Sequence, residues 1–250
     1  MIKSMLFHGD CLEELKDLKC GIVDLVICDL PFNTTNCKWD CPIDLVKLWN
    51  VYDILTKGTT PILLFAQIPF NITLGASNMD MLRYEWIWEK TTATGHLNAK
   101  KMPMKAHENI MVFYNRLPTY NPQKTVGHKP VNSYTKHQDD GEIYGKTQIG
   151  VSGGGSTERY PRDVLLFPTD KQKSALHPTQ KPVKLLEYLI RTYSNEGDTV
   201  LDNTFGSGST GVAAANTGRN FIGVEKDDKY YDIGKKRIEA AYAKTNLLEM

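Results

Sequence analysis

Two segments of this chain carry side chains whose types and spacing suit chemistry. The first, Asp29-Leu30-Pro31-Phe32-Asn33-Thr34-Thr35, follows directly on the apolar run Ile22 to Cys28. Proline restricts the backbone of a tight loop, so a carboxylate, a carbonyl and an aromatic ring can converge there on one planar group. A flipped nucleobase offers such a group, with an exocyclic amine to be hydrogen-bonded and a face to be stacked. An ordinary strand-to-loop exit with an aspartate turn would have the same local sequence. The second segment is the glycine-rich turn Asp202-Asn203-Thr204-Phe205-Gly206-Ser207-Gly208-Ser209-Thr210-Gly211, preceded by Val200-Leu201 and followed by Val212 and three alanines. Gly206, Gly208 and Gly211 remove side chains where a backbone approaches a ligand and where the following helix packs on a sheet. Glu225 ends the next apolar run, where a carboxylate can accept both ribose hydroxyls of an adenosyl group. That pairing suits NAD as well as S-adenosylmethionine.

The elements that must position these residues show in the apolar pattern. Met5-Leu6-Phe7 runs towards Asp10, Ile22 to Cys28 towards Asp29, Thr199-Val200-Leu201 towards Asp202, and Phe221 to Val224 towards Glu225. Each reads as a buried strand handing over to a loop. Helical spacing follows or separates them: Leu12, Leu15 and Leu18; Leu185, Leu186, Leu189, Ile190 and Tyr193; and Asp227 to Ala241, with Gly234 inside it. Alternating strands and helices predict an α/β fold, a Rossmann-like, largely parallel sheet with helices on both faces. Ligands of such sheets bind outside the carboxyl ends of the strands, so four acids at four strand ends point to one shared crevice. Any one of these acids could equally serve as a helix N-cap.

Between about residues 91 and 175 aliphatic runs give way to Gly, Asn, Lys, His and Tyr, and Gly150 to Ser156 reads as a flexible loop. We therefore divide the chain into a catalytic and cofactor-binding α/β domain, residues 1–90 and 174–250, and an insertion at 91–173. Within the insertion, 107–114 still reads as a core strand. From Lys90 to Lys184 there are 15 Lys and Arg against 7 Asp and Glu, a charge of +8, which leaves −7 on the rest of a chain whose total is +1. A basic middle flanked by acidic ends fits a phosphate-facing insertion on a catalytic body, and equally a solvated lysine-rich surface.

Composition excludes several classes. No apolar run approaches the roughly 18 residues needed to cross a bilayer, and residues 1–8 lack the pattern of a secretory signal. We expect an intracellular, cytoplasmic protein of a bacterial or phage-infected cell. Five cysteines, Cys11, Cys20, Cys28, Cys37 and Cys41, with no CxxC pair, argue against a disulfide framework and a zinc site. We expect reduced thiols and no metal.

Taken together, the segments resemble the amino-methyltransferases of bacterial and phage DNA, in the permuted (beta) class where the catalytic motif precedes the cofactor motif. The resemblance covers most of the chain. His8-Gly9-Asp10-Cys11 resembles the acidic motif at the cofactor's adenine, and Asp29 to Phe32 the catalytic tetrapeptide, usually Asp-Pro-Pro-Tyr or Ser-Pro-Pro-Tyr. His107 to Phe113 resembles a late strand of the family's sheet. His177-Pro178-Thr179-Gln180-Lys181-Pro182 resembles the segment that closes over the methionine end, and Asp202 to Gly211 the cofactor loop. Leu30 stands where most members have proline, and Asn203-Thr204-Phe205 replaces the usual Pro-Phe-Ala.

What the resemblance implies is methyl transfer from S-adenosyl-L-methionine to N6 of adenine in double-stranded DNA, with N4 of cytosine as the alternative. Asp29, Leu30, Pro31 and Phe32 would be catalytic. Asp10, Asp29, Thr179, Gln180, Lys181, Pro182, Asp202, Thr204, Phe205, Gly206, Ser207, Gly208, Ser209, Thr210 and Glu225 would bind the cofactor, and the 91–173 insertion would recognise the target. A homodimer and a restriction-endonuclease partner are compatible with the resemblance. Two readings of other classes stay open at this point: a nicotinamide-dependent dehydrogenase, which leaves Asp29 to Phe32 unexplained, and a catalytically silent DNA-binding relative, which would ordinarily lack the carboxylate.

Overall fold

The computed structural model of the protein describes residues 3–32, 42–137, 148–170 and 180–248. The chain forms two compact units, residues 1–121 with 163–250, and residues 122–162.

The first unit is built on an eight-stranded sheet. Its strands are β1 (Ser4–His8), β2 (Leu25–Cys28), β3 (Ile62–Ala66), β4 (Leu82–Thr94), β5 (Lys105–Phe113), β8 (Val164–Phe167), β9 (Thr199–Asp202) and β10 (Asn220–Glu225), in the order β1-β10-β9-β2-β3-β5-β4-β8. β1, β10, β9, β2 and β3 run parallel, β5 is antiparallel to both its neighbours, and β8 pairs parallel with β4. The four acid-terminated runs are thus four consecutive neighbours in the sheet. The strand expected at 107–114 is β5. β4 and β8 occupy ground where the apolar pattern is weak, because only alternate residues of β4, Trp86 and Trp88, are buried.

Side chains alternate between two cores, as strand geometry requires. Leu25, Ile27, Leu63, Phe65, Ile110, Val112, Val200 and Phe221 face a layer formed by α4 (Val183–Tyr193), α5 (Ser209–Asn216) and α6 (Asp228–Leu248). Val26, Cys28, Ile62, Leu64, Met111, Phe113, Leu201, Ile222 and Val224 face α1 (Cys11–Glu14), α2 (Leu45–Leu55) and α3 (Phe70–Ser77). Helices therefore cover both faces. The helix expected through Leu18 stops at Glu14 and passes into hydrogen-bonded turns, Leu18 N donating to Leu15 O, which still bring Leu12, Leu15 and Leu18 onto the sheet. No described helix is long and apolar enough to cross a membrane.

The aromatic residues of α4 and β4 satisfy their polar ends where they are buried. Tyr193 Oη accepts from Trp86 Nε1 at 2.6 Å and shares a proton with Tyr84 Oη at 2.8 Å. The second unit holds β6 (Tyr134–Thr135) and β7 (Ser152–Gly153), paired antiparallel, so part of the expected 150–156 loop is strand. Lys124 there pairs with Glu158 at 2.9 Å and lies over the Tyr160 ring. Cys11, Cys20 and Cys28 are free thiols, and Cys37 and Cys41 lie outside the described residues.

Candidate active site

Because β1, β10, β9 and β2 are parallel neighbours, their carboxyl ends lie along one edge of the sheet. A cavity of about 1080 Å³ opens there, and Asp10, Asp29, Asp202 and Glu225 all line it. One carboxylate from each of four adjacent strands meets in one place, as ligand-binding crevices of parallel sheets are built.

Each acid is held by its own local bonds. Asp10 caps α1, accepting from Leu12 N at 3.0 Å, and also accepts from Lys226 Nζ at 3.0 Å. Asp202 accepts from Thr204 N at 3.1 Å. Burial pushes its carboxyl up to about 7, against the pull of Thr210 and the Thr204 amide. Glu225 accepts from Gly206 N through one oxygen and from Asp227 N through the other, both at 2.8 Å. Each oxygen keeps a lone pair for a further donor, although burial raises this carboxyl too. Asp29 accepts from Lys181 Nζ at 2.6 Å through Oδ2, and its Oδ1 is buried without a hydrogen-bond partner.

The two sequence segments are physically joined. Thr204 Oγ1 donates to the Asp29 carbonyl at 3.1 Å, bolting the glycine-rich loop to the loop that follows β2. Beneath them Asn203 Oδ1 accepts from Tyr52 Oη at 2.6 Å and Cys28 Sγ at 2.8 Å, and Asn203 Nδ2 points to Cys11 Sγ at 3.4 Å. Asn203 thereby ties the end of β9 to the end of β2, to α2 and to the start of α1. Nothing local in the sequence announces these partners.

The glycines serve backbone geometry and packing. Gly206 and Gly208 have φ of 53° and 80°, in the left-handed region that favours glycine. A Cβ on Gly211 would lie 2.6 Å from the Ile238 side chain, and one on Gly234 2.6 Å from the Phe205 ring and 2.8 Å from Gly206 O. Gly234, a blemish in the helical pattern, is thus where α6 crosses the loop. Phe205 is buried under this crossing against Tyr231.

Of the remaining expected site residues, Leu30, Pro31, Phe32, Gln180, Lys181, Thr204, Phe205, Gly206, Ser207, Ser209 and Thr210 line the cavity. Gly208 and Pro182 do not; they are the N-caps of α5 and α4. Thr179 lies outside the described residues. Leu30 is buried in the core beside α2, and Phe32 stacks on Phe70 with ring centres 5.2 Å apart. Four buried atoms of residues that line the cavity, Asp29 Oδ1, Glu108 Oε2, Gln180 Oε1 and Ser209 Oγ, have no hydrogen-bond partner. Buried polar groups are ordinarily satisfied, so this convergence marks a place for a polar ligand. Sequence reasoning missed Lys90 and Glu108, which also line the cavity and pair at 2.5 Å.

Known proteins agree with this architecture. The type II methyltransferase M.HinfI of Haemophilus influenzae is 25% identical over 271 residues, covering 98% of this chain and 71% of that protein. The DNA adenine methyltransferase YhdJ of Escherichia coli (strain K12) is 27% identical over 260 residues, covering 94% of this chain and 83% of that protein. The crystal structure of the M1.HpyAVI–SAM complex superposes with a TM-score of 0.63 at 24% identity, covering 94% of this chain and 99% of that one. At that identity the superposition speaks to the fold. The DNA methylase family profile matches residues 23–236, from the threshold of β2, through both loops, into α6. With the profile spanning the whole cavity-forming part of the sheet beyond β1, the chain belongs to the DNA methylase family.

Proposed function

We propose that this protein methylates N6 of adenine in double-stranded DNA, using S-adenosyl-L-methionine. The observation that carries the reading is the buried, unpartnered Asp29 Oδ1 at a cavity whose other wall is the glycine-rich loop, the two loops being joined through Thr204. Family membership sets aside a nicotinamide-dependent dehydrogenase, and the intact carboxylate speaks against a silent DNA-binding relative.

In this reading Gly206, Ser207, Ser209, Thr210 and Glu225 hold the adenosyl group, Asp10 lies by its adenine and Gln180 by the methionine end. The bound cofactor supplies an electrophilic methyl group on a sulfonium. Phe32, braced from behind by Phe70, stacks on the flipped base. Asp29 Oδ1 and the Leu30 carbonyl accept hydrogen bonds from the amine, drawing its lone pair out of conjugation with the ring. As the N–C bond forms and the methyl–sulfur bond breaks, with S-adenosylhomocysteine as leaving group, Asp29 would stabilise the charge growing on nitrogen and take the proton it releases. Much of the rate comes from holding donor, acceptor and carboxylate in line. We assign DNA recognition to the 91–173 segment, with lysines on phosphate and polar side chains on base edges.

Nucleoside mass spectrometry of DNA treated with the protein and labelled cofactor tests the assignment. N6-methyladenine is expected. N4-methylcytosine alone would replace adenine by cytosine as the target, and no transfer to any DNA would overturn the reading.

A further inference from the structure

Behind Asp29 the cavity wall holds a row of charges that the mechanism above leaves without a task. The antiparallel register of β4 and β5 sets Trp88 opposite Glu108 and brings Lys90 beside it. Lys90 Nζ lies 2.5 Å from Glu108 Oε1, Glu108 Oε2 lies 3.1 Å from Lys181 Nζ, and Lys181 Nζ lies 2.6 Å from Asp29 Oδ2. The side chains of Lys90, Glu108 and Lys181 are 7%, 8% and 9% exposed, and that of Asp29 is 24% exposed. The Lys181 ammonium also sits 5.0 Å from the centre of the Phe65 ring and 6.0 Å from that of Phe32.

Ion pairs this deeply buried return little net stability, since desolvation offsets their attraction and apolar residues of the same volume often do as well. Their value lies in what they do to the group at the end of the row. Signs alternate along it: Glu108 Oε2 makes no hydrogen bond but lies 3.1 Å from the Lys181 ammonium, whereas Oδ1 of Asp29, a residue that lines the cavity, has no hydrogen-bond partner.

We propose that Lys181 is a positioning residue for methyl transfer: braced by Glu108 and Lys90, its ammonium pins Oδ2 of Asp29 and favours the charged carboxylate, leaving Oδ1 as the acceptor for the target amine. This rests on the function proposed above and moves Lys181 from the methionine end of the cofactor to the catalytic carboxylate. Burial pushes the Asp29 carboxyl up and Glu108 adds to it; Lys181 and more distantly Lys90 oppose this without cancelling it, so the carboxyl stays above its ordinary value. Asp202 on β9 faces it as a further like charge. Glu108 itself is driven up by burial, but Lys181 and Lys90 outweigh that and hold it at about 2. Burial works to discharge Lys181, and Asp29 and Glu108 outweigh it, so the ammonium persists.

Carboxylate 13C NMR on the cofactor-free protein, with Asp29→Asn to assign the signal, reads the row without any turnover. Lys181→Met should move the Asp29 titration upward by about one to three pH units, the usual effect of losing an adjacent opposite charge. Glu108→Gln should move it downward, because a like charge is removed. In activity assays Lys181→Met should lower kcat on the acid side of its pH profile and move that limb upward by the same one to three pH units, with recovery at higher pH. Its KM for the cofactor should stay near that of the wild type, and Lys181→Arg should restore most of kcat. An Asp29 titration that moves in neither variant overturns the proposal. So does calorimetry in which Lys181→Met loses S-adenosylhomocysteine binding while Asp29 titrates as before, since Lys181 would then be a cofactor ligand. If Lys181→Met does not fold, Glu108→Gln and Lys181→Arg carry the same comparison. A wild type that methylates no DNA, with the titration changes intact, would refute the function while leaving the row's effect on Asp29 standing.

Discussion

Asp29 gives one oxygen to Lys181 and keeps the other for the cavity, so removing its carboxyl should separate binding from turnover. In Asp29→Ala we expect S-adenosylhomocysteine affinity, read by calorimetry, to stay close to wild type. Methyl transfer should fall by about 100-fold to 10,000-fold, the range for losing a positioned proton acceptor; retained turnover would remove the role given to this residue. Asp202 makes a different prediction, through pH. Its carboxyl moves from an ordinary value of 3.8 to about 7 on folding, driven by burial. The folded protein therefore holds more protons than the unfolded chain between these values, and the group's contribution, fully present below 3.8, is lost as pH rises through 7. Asp202→Asn should shift the urea midpoint upward at about pH 8 relative to wild type and much less at about pH 4. A cationic ligand favours the ionised form, so wild-type affinity for S-adenosylmethionine should weaken as pH falls below about 7, and Asp202→Asn should flatten that dependence. Residues of this kind, acids at strand ends and glycines in a turn, are legible in the sequence because their neighbours in the chain announce them. Lys90 and Glu108 are not, since their pairing is set by strand register across 18 positions. Nor is the Thr204 hydrogen bond to Asp29, which spans 175 positions.

Among the elements, α6 packs closely on the glycine-rich loop that we propose holds the cofactor. Replacing a helix-interior glycine by alanine ordinarily gains about 0.5–1 kcal/mol. At Gly234 the new methyl would press on the Phe205 ring and the Gly206 carbonyl at 2.6 and 2.8 Å. Overpacking of this kind costs about 1–3 kcal/mol, so repulsion wins. Gly234→Ala should lower the melting temperature and weaken cofactor binding together, whereas alanine at Gly197, whose Cβ position meets nothing within 4 Å, should spare the cofactor. Equal affinity in the two variants would show that α6 does not set the loop. The strands themselves follow from their apolar runs, and β5 is visible because Ile110 to Phe113 is uniformly buried. β4 has no such run: Leu82, Tyr84, Trp86 and Trp88 fall on alternate positions, and the strand continues into the polar stretch Glu89 to Thr94.

Over the whole molecule, the charge asymmetry overstates what DNA can use. Lys90 and Lys181 are committed to buried pairs and Lys124 to Glu158, while Lys100 and Lys101 stand exposed in the connection between β4 and β5. Reversing both to glutamate should weaken duplex binding by roughly tenfold or more at low salt and reduce the slope of log affinity against log salt by about two, if each contacts one phosphate. An unchanged slope in a filter-binding titration would place them off the DNA.

The sheet order has a consequence for assembly. Asp10 and Asp29 come from the chain before residue 122, and Asp202 and Glu225 from the chain after 162, yet β9 and β10 are threaded between β1 and β2. Neither half can complete its hydrogen-bond ladders without the other, so the pocket is a product of their interleaving and its formation must await the most distant contacts in the chain. A chain opened within residues 122–162 should therefore behave as a split enzyme. Each piece alone should fail to retain S-adenosylhomocysteine, and the co-expressed pieces should recover it in a single cooperative step. Retention by either piece alone would mean that half the strands suffice to build the pocket.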